Sequence, residues 1–296
     1  MRIVSPKTKS TIEKNDARAD KKQYTLQMKA SRCCVLFLFF AVIFPLHADT
    51  DKTEILFIGD SHSVMGFGDS FYEKLNAKHP NEVATYSSCG STMGYWYTGR
   101  KTTCGYRERG RAGTKNIPFQ KLRSKRTRFP PTPILADLIK KHEPKLVVIQ
   151  QGTNYIGAPK RLLLRDIHKL LNIMATSHAS CIWIGPPTSR ITRWSDGTGM
   201  NLADVNQTIK ETLAKAKPTC EFIDSLRLTK YPARSGDGIH LDTAKGGKKI
   251  ANQWGAKAAK KVLALAPPRQ TAVEASLQTI PNRTSSESIP SGTSVR

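Results

Sequence analysis

The chain has 296 residues, 39% of them hydrophobic, and carries 47 basic against 23 acidic side chains for a formal net charge of +24. Such a length accommodates one large α/β domain or two small ones, and the low apolar fraction fits a folded middle diluted by unstructured ends. The charge predicts attraction to polyanions; nucleic acid is the first expectation for a cytosolic chain of this charge, but no nucleic-acid-binding module is recognisable, and for an exported chain acidic polysaccharide, cell-wall polymer or anionic membrane are the expected partners.

Residues 1 to 27 are polar without an apolar period, and from Pro267 to Arg296 the chain is mostly Ser, Thr, Pro, Gln and small residues. Val35 to Leu46 is a short Phe-rich run, preceded by Lys29 and Arg32 and followed by Leu46-His47-Ala48. These are the three regions of a secretory signal with cleavage after Ala48, and the run is short for a membrane span. An uncleaved N-terminal anchor is the alternative, and Met28, directly before the pattern, is an alternative start. The expected organisation is an extension and signal over 1–48, one domain over 49–265 with a basic insertion at 95–131, and a tail over 266–296, in a periplasmic or secreted protein. Cleavage leaves 38 basic and 20 acidic side chains.

Export governs how the cysteines read. Cys33 and Cys34 leave with the signal, so Cys89, Cys104, Cys181 and Cys220 remain. An even number in an oxidising compartment points to two disulfides, of which the sequence permits three pairings. We favour Cys181 with Cys220, since each opens an apolar run, and Cys89 with Cys104, since both lie in one irregular region. No pair has the close spacing of a zinc site.

The first strand is the apolar run Ile55 to Ile58, which stops at Gly59-Asp60-Ser61-His62-Ser63. A run that ends so abruptly reads as a buried parallel strand, with Ser61 at its carboxyl end, where open α/β sheets place their chemistry. Taken alone, Asp60 and Ser61 equally suit a cap on the next helix. Phe71 to Leu75 has helical character, and Val83 to Tyr86 is a second strand running into Ser87-Ser88-Cys89-Gly90-Ser91. Residues 95 to 131 lack a helix or strand period and set Tyr95, Trp96, Tyr97 and Tyr106 among many Arg and Lys, with Glu108 the only acid. Aromatic faces and guanidinium groups together suit a sugar polymer carrying negative charge; a solvated basic loop is the plainer alternative.

Ile134 to Lys141 is a helix, Lys145 to Gln151 a strand that ends in Gly152-Thr153-Asn154, and Pro159 to Met174 a helix with an apolar face. Cys181 to Ile184 and Cys220 to Ile223 are strands four and five, separated by a helix over Asn201 to Lys215. Asp237-Gly238-Ile239-His240 lies in a loop before a last helix, Thr243 to Leu263. Strand and helix alternate without a hairpin signal, which predicts a mostly parallel five-stranded sheet covered on both faces, a three-layer α/β/α sandwich. His79, His142, His168 and His178 sit among Lys and Glu and are expected to be solvated.

Ser61, Gly90 and Asn154 each follow a buried strand and so share one edge of the sheet. With Asp237 and His240 they form the set that acyl transfer needs: a hydroxyl nucleophile, a histidine to take its proton, a carboxylate to hold the histidine, and donors for a developing oxyanion. At this point the residues resemble the SGNH (GDSL-type) hydrolases. The family's first block matches Gly59-Asp60-Ser61, its second Gly90, its third Gly152-Thr153-Asn154 and its fifth Asp237-Gly238-Ile239-His240, in the family's order, over roughly Glu54 to Leu263.

The resemblance implies a flavodoxin-like sheet, Ser61 as nucleophile, His240 as general base, Asp237 as its orienting acid, and an oxyanion hole from the Ser61 and Gly90 amides with the Asn154 side chain. It implies no metal and no organic cofactor. Tyr155 stands where the third block often continues with Asp, and the Gly-Asp-Ser-His form is similar to that of members acting on acylated carbohydrate. Candidate substrate contacts are His62, Tyr155, Trp96, Arg107 and Arg109. Cys89 reads as a clamp on the oxyanion loop rather than a second nucleophile. The expected activity is serine esterase removal of O-acyl groups, acetyl foremost, from an anionic polysaccharide or peptidoglycan. An O-acyltransferase to a sugar hydroxyl is the second reading, and a non-catalytic polysaccharide- or wall-binding protein the third.

Overall fold

The structure, a computed structural model, describes residues 53–102, 104–110, 115–118, 120–121, 129–192, 199–217 and 219–266. The expected extension and signal, with Cys33 and Cys34, and the expected tail after Ala266 lie outside the described residues.

Every residue of β1 (Ile55–Gly59) is buried, because its Ile, Leu and Phe side chains alternate between two covered faces. Ile55 and Phe57 pack with Phe67 and Phe71 of α1 (Gly66–Asn76) and with Trp254 and Ala258 of α6 (Gly247–Leu265). Leu56 and Ile58 join the opposite cluster. There they share a core with Trp96 of α2 (Met93–Thr98), Leu138 of α3 (Leu135–His142), Ile167 of α4 (Lys160–Ala175) and Ile209 of α5 (Leu202–Ala214). The result is three layers, and each large side chain buried this way stabilises by about 1.5–3 kcal/mol.

β1 pairs in parallel with β2 (Val83–Ser88) on one side and β5 (Leu146–Gln150) on the other, and β6 (Ser180–Ile184) and β7 (Cys220–Ile223) extend the sheet in parallel. These five strands are the five that the sequence predicts, and β1 stands between the second and third of them. That is the flavodoxin-like order, with its switch point between β1 and β5.

The strand count needs correction. The sheet has seven strands, in the order β4-β3-β2-β1-β5-β6-β7, because β3 (Gly105–Gly110) and β4 (Gln120–Lys121) add to the β2 edge antiparallel. Both fall in the stretch 95–131, expected to lack regular structure, and α2 begins just before it and runs into it. The Tyr-Arg-Glu-Arg alternation of β3 buries Tyr106 and Glu108 on one face and leaves Arg107 and Arg109 half-buried on the other. A charged alternation conceals a strand that an apolar one would announce.

A second correction concerns His142, which is buried rather than solvated. Its Nδ1 meets Thr53 Oγ1 at 3.0 Å and its Nε2 meets the Tyr86 hydroxyl at 2.7 Å, and burial lowers its pKa to about 4.

Both favoured disulfides are present. Cys181–Cys220 joins the second residue of β6 to the first residue of its neighbour β7 near the amino edge of the sheet, and Cys89–Cys104 joins the turn after β2 to the start of β3.

Candidate active site

Register brings the site together before any side chain does. Gly59 is aligned with Ser87 on one side and with Gln150 on the other, so the three chain segments that leave β1, β2 and β5 emerge side by side at the carboxyl edge. Ser61 lies two residues past Gly59, Gly90 three past Ser87, and Asn154 four past Gln150.

The turn after β1 is a 3-10 segment, Ser61–Val64, capped by Asp60, whose Oδ1 accepts from the His62 amide at 3.0 Å. Ser63 Oγ donates to Gln150 Oε1 at 2.7 Å and Ser87 Oγ donates to the Ser63 carbonyl at 3.3 Å, which ties the turn to β5 and β2. Gly59 is required by close approach: a Cβ there would lie 2.0 Å from Ser63 Oγ.

From the other end of the chain, His240 Nε2 lies 2.9 Å from Ser61 Oγ and His240 Nδ1 lies 2.6 Å from Asp237 Oδ2. Asp237 Oδ1 accepts from the amides of Ile239 (2.9 Å) and His240 (2.8 Å), so one carboxylate organises its own loop and the imidazole. Burial pushes the Asp237 carboxyl up, but hydrogen bonds from the His240 ring and these two amides outweigh it and hold the pKa at about 2. With an ionised partner at Nδ1, that nitrogen carries the proton, and Nε2 is left as the acceptor facing the Ser61 hydroxyl.

Gly90 has φ +72°, in the left-handed region, on a turn closed by the Ser91 amide donating to the Ser88 carbonyl at 3.2 Å. Asn154 Nδ2 donates to the Ser91 carbonyl at 2.9 Å, so the segments after β2 and β5 are joined directly beside Gly90.

Of the five candidate substrate contacts, His62, Tyr155 and Trp96 are buried, which corrects that expectation for them, whereas Arg107 and Arg109 are half-buried and paired within the chain. His62 is 1% exposed, its ring 5.2 Å from that of His240 and edge-on to Trp254 at 5.5 Å. Burial holds its imidazole well below the usual histidine value, so it is neutral. Tyr155 is fully buried, its hydroxyl accepting from the Met93 amide at 2.9 Å and donating to Asp166 Oδ2 at 2.8 Å. Trp96 is fully buried with its Nε1 donating to Ser91 Oγ at 3.3 Å. Arg107 pairs with Asp69 at 2.7 Å and donates to the Val64 carbonyl at 3.3 Å. Arg109 pairs with the same carboxylate at 3.0 Å and lies over the Tyr72 ring at 4.2 Å.

Several supporting residues escape a reading of the sequence. Thr243 Oγ1 accepts from the Asp237 amide at 3.0 Å, and its proton reaches either Asp237 Oδ1 at 3.1 Å or the His240 carbonyl at 2.8 Å. Its place three residues after His240 was the available signal. Asp242 Oδ1 accepts from the Gly66 amide at 3.2 Å and so caps α1 from 176 residues away, where Met65 provides no side-chain cap. Asp166 holds Tyr155 from α4. Asp242 acts across 176 residues and Asp166 across eleven, neither with a local pattern that marks it.

An open doubly wound α/β sheet with a Ser-His-Asp hydrogen-bonded chain at its switch point is therefore what the described residues define. No family model matches the sequence, and no curated protein matches it. Among solved structures, the chain is similar to a lipase/acylhydrolase from Enterococcus faecalis, at 17% identity and a TM-score of 0.44 over 73% of this chain and 98% of that one. It is also similar to a GDSL-like lipase from Bacteroides thetaiotaomicron, at 13% identity and a TM-score of 0.40 over 71% and 89% of the two chains. A Clostridium thermocellum family 3 carbohydrate esterase is similar at 15% identity and a TM-score of 0.39 over 73% and 100%.

Proposed function

We propose that the protein is an exported serine esterase that removes O-acyl groups, acetyl foremost, from an anionic polysaccharide or peptidoglycan. The observation that carries this reading is the chain Ser61 Oγ, His240 Nε2, His240 Nδ1, Asp237 Oδ2, with separations of 2.9 and 2.6 Å at its two hydrogen bonds. Export rests on the signal-like run, and the two disulfides fit an oxidising compartment.

In this reading Ser61 Oγ attacks the acyl carbonyl while its proton passes to His240 Nε2. Asp237 stabilises the imidazolium that forms, and the Ser61 and Gly90 amides with the second Asn154 amide proton receive the oxyanion. Collapse breaks the ester bond, and His240 returns the proton to the departing sugar oxygen. Water then attacks the acyl-enzyme with His240 again taking a proton, releasing the carboxylic acid and restoring Ser61.

The test is acetate release by the full chain from O-acetylated peptidoglycan and O-acetylated polysaccharides, with Ser61→Ala as control. Release that depends on Ser61 supports the reading. A sugar acceptor acetylated in place of acetate release would move the protein to acyl transfer, and binding of polymer without turnover of any ester would overturn catalysis.

A further inference from the structure

The two disulfides differ in what they hold. Cys181–Cys220 sits near the amino edge, away from Ser61, between strands already paired by the sheet ladder. Cys89–Cys104 sits at the carboxyl edge, and Cys89 is the residue immediately before Gly90. Cys104 Sγ lies 3.4 Å from the position a Cβ on Gly90 would take, so the bridge packs directly on that glycine.

The bridge is the centre of a larger staple. The Cys89 amide donates to the Gly105 carbonyl at 2.9 Å, and Thr102 Oγ1 donates to the Cys89 carbonyl at 2.5 Å while accepting from the Cys104 amide at 3.3 Å. On its other flank the turn is held by Asn154 at the Ser91 carbonyl. Gly90 itself, at φ +72°, has no side chain to anchor it, and a glycine populates positive and negative φ about equally. The direction of its amide must therefore be set by its neighbours, and the neighbour on the amide's own side is Cys89.

We propose that the Cys89–Cys104 bridge is a positioning device for the Gly90 amide, so that the chemical step depends on this bridge being oxidised, whereas Cys181–Cys220 serves stability alone. The inference rests on the reading of Gly90 as an oxyanion donor. Reduction by an added dithiol transfers two electrons and two protons to the bridge, breaks the sulfur–sulfur bond, leaves two thiols and converts the dithiol to its own disulfide. The turn then keeps only its hydrogen bonds, and the Gly90 amide is free to rotate away from the oxyanion.

The experiment compares kcat, KM and melting temperature of the full chain on a small activated acetyl ester for the wild type, Cys89→Ser/Cys104→Ser and Cys181→Ser/Cys220→Ser. The first pair of substitutions is expected to lower kcat roughly 10- to 100-fold with KM within about twofold, the range for misplacing a group that acts only in the transition state. The second pair is expected to lower the melting temperature and leave kcat at the wild-type value. Should the first variant fail to fold, Thr102→Val removes the hydrogen bond to the Cys89 carbonyl with the bridge intact. It is expected to lower kcat by a smaller factor, with Thr102→Ser restoring it. An active wild type whose kcat survives both the Cys89→Ser/Cys104→Ser and Thr102→Val changes overturns this inference alone, as does an equal fall in kcat for both cysteine pairs. A wild type that neither turns over the ester nor is labelled at Ser61 by an activated phosphonate overturns the proposed function and this inference with it.

Discussion

His240 Nε2 and Ser61 Oγ stand 2.9 Å apart although 179 residues separate them, and each is brought there by a different device. Ser61 is fixed by a capped turn at the end of β1. His240 is fixed by Asp237, by Thr243, and by Asp242 two residues on, which caps α1 directly behind that turn. The carboxylate that orients the histidine and the one that ties its loop to the Ser61 side are thus separate groups.

Ser61→Ala removes the proposed nucleophile without leaving a buried polar partner unpaired, since His240 is partly exposed. The expected outcome is loss of ester turnover by roughly 10⁴-fold or more with the melting temperature unchanged. Asp237→Asn is expected to lose a comparable factor by favouring the wrong tautomer of His240. Steady-state turnover of a small acetyl ester checks both, and full activity in either would remove the proposed mechanism.

Arg107 and Arg109 were expected to contact an anionic polymer, but both guanidinium groups converge on Asp69 of α1, and Arg107 also holds the Val64 carbonyl of the Ser61 turn. Arg107→Gln/Arg109→Gln should therefore reduce turnover of a small neutral ester and of a charged polymer by the same factor. It should also cost about 1–3 kcal/mol of stability through lost charge-assisted hydrogen bonds. Parallel assays on the two substrates decide the matter: a loss confined to the polymer would restore the arginines to the binding surface.

Tyr155 takes part in a buried hydrogen-bonded path from the Met93 amide through its hydroxyl to Asp166, next in sequence to Asn154. Tyr155→Phe leaves that amide and that carboxylate oxygen without this partner, and is expected to destabilise by about 1–3 kcal/mol per group left unsatisfied. KM for any ester should stay at the wild-type value, since the ring is fully buried. Urea unfolding measures the first effect; a raised KM without a stability loss would make Tyr155 a substrate contact.

Much of this was legible locally. Four of the five parallel strands are short runs that stop at or just before a Gly, the fifth stops at Asp224-Ser225, and Ser61, Gly90 and Asn154 could be placed on one edge because each follows such a run. The favoured cysteine pairs also follow from where strands begin and where regular patterns stop. What escaped is what depends on partners distant in sequence. β3 is half arginine and glutamate, and its strand character comes from pairing with β2 and from Asp69 receiving its arginines. His142, amid lysines on α3, shows nothing in sequence of the Thr53 and Tyr86 hydroxyls that bury it. His62 follows the serine and reads as a substrate contact until Trp254, 192 residues later, is packed against it.

Asp60 supplies the pH-dependent prediction. It is fully buried immediately before Ser61, and burial pushes its carboxyl up to about 7, against the opposing effects of the His62 amide, the nearby His240 and the Gln150 side chain. An acid whose folded value exceeds its ordinary value near 4 holds its proton more tightly in the folded chain. Its contribution to stability is therefore complete below about pH 4 and is lost as pH rises through about 7. Asp60→Asn keeps an oxygen to cap the His62 amide and removes the titration. Relative to the wild type it should gain stability steadily between pH 4 and 7, by up to roughly 1.4 kcal/mol per pH unit, and keep that advantage above pH 7. The buried neutral His142 and His62 lose stability toward acid in both proteins alike, so they cancel in the difference. Urea unfolding of the pair at pH 4.5, 5.5, 6.5 and 7.5 reads the effect directly. Two curves that run parallel across this range would mean that Asp60 is ionised throughout, with its buried charge matched by the Gln150 and His62 groups around it.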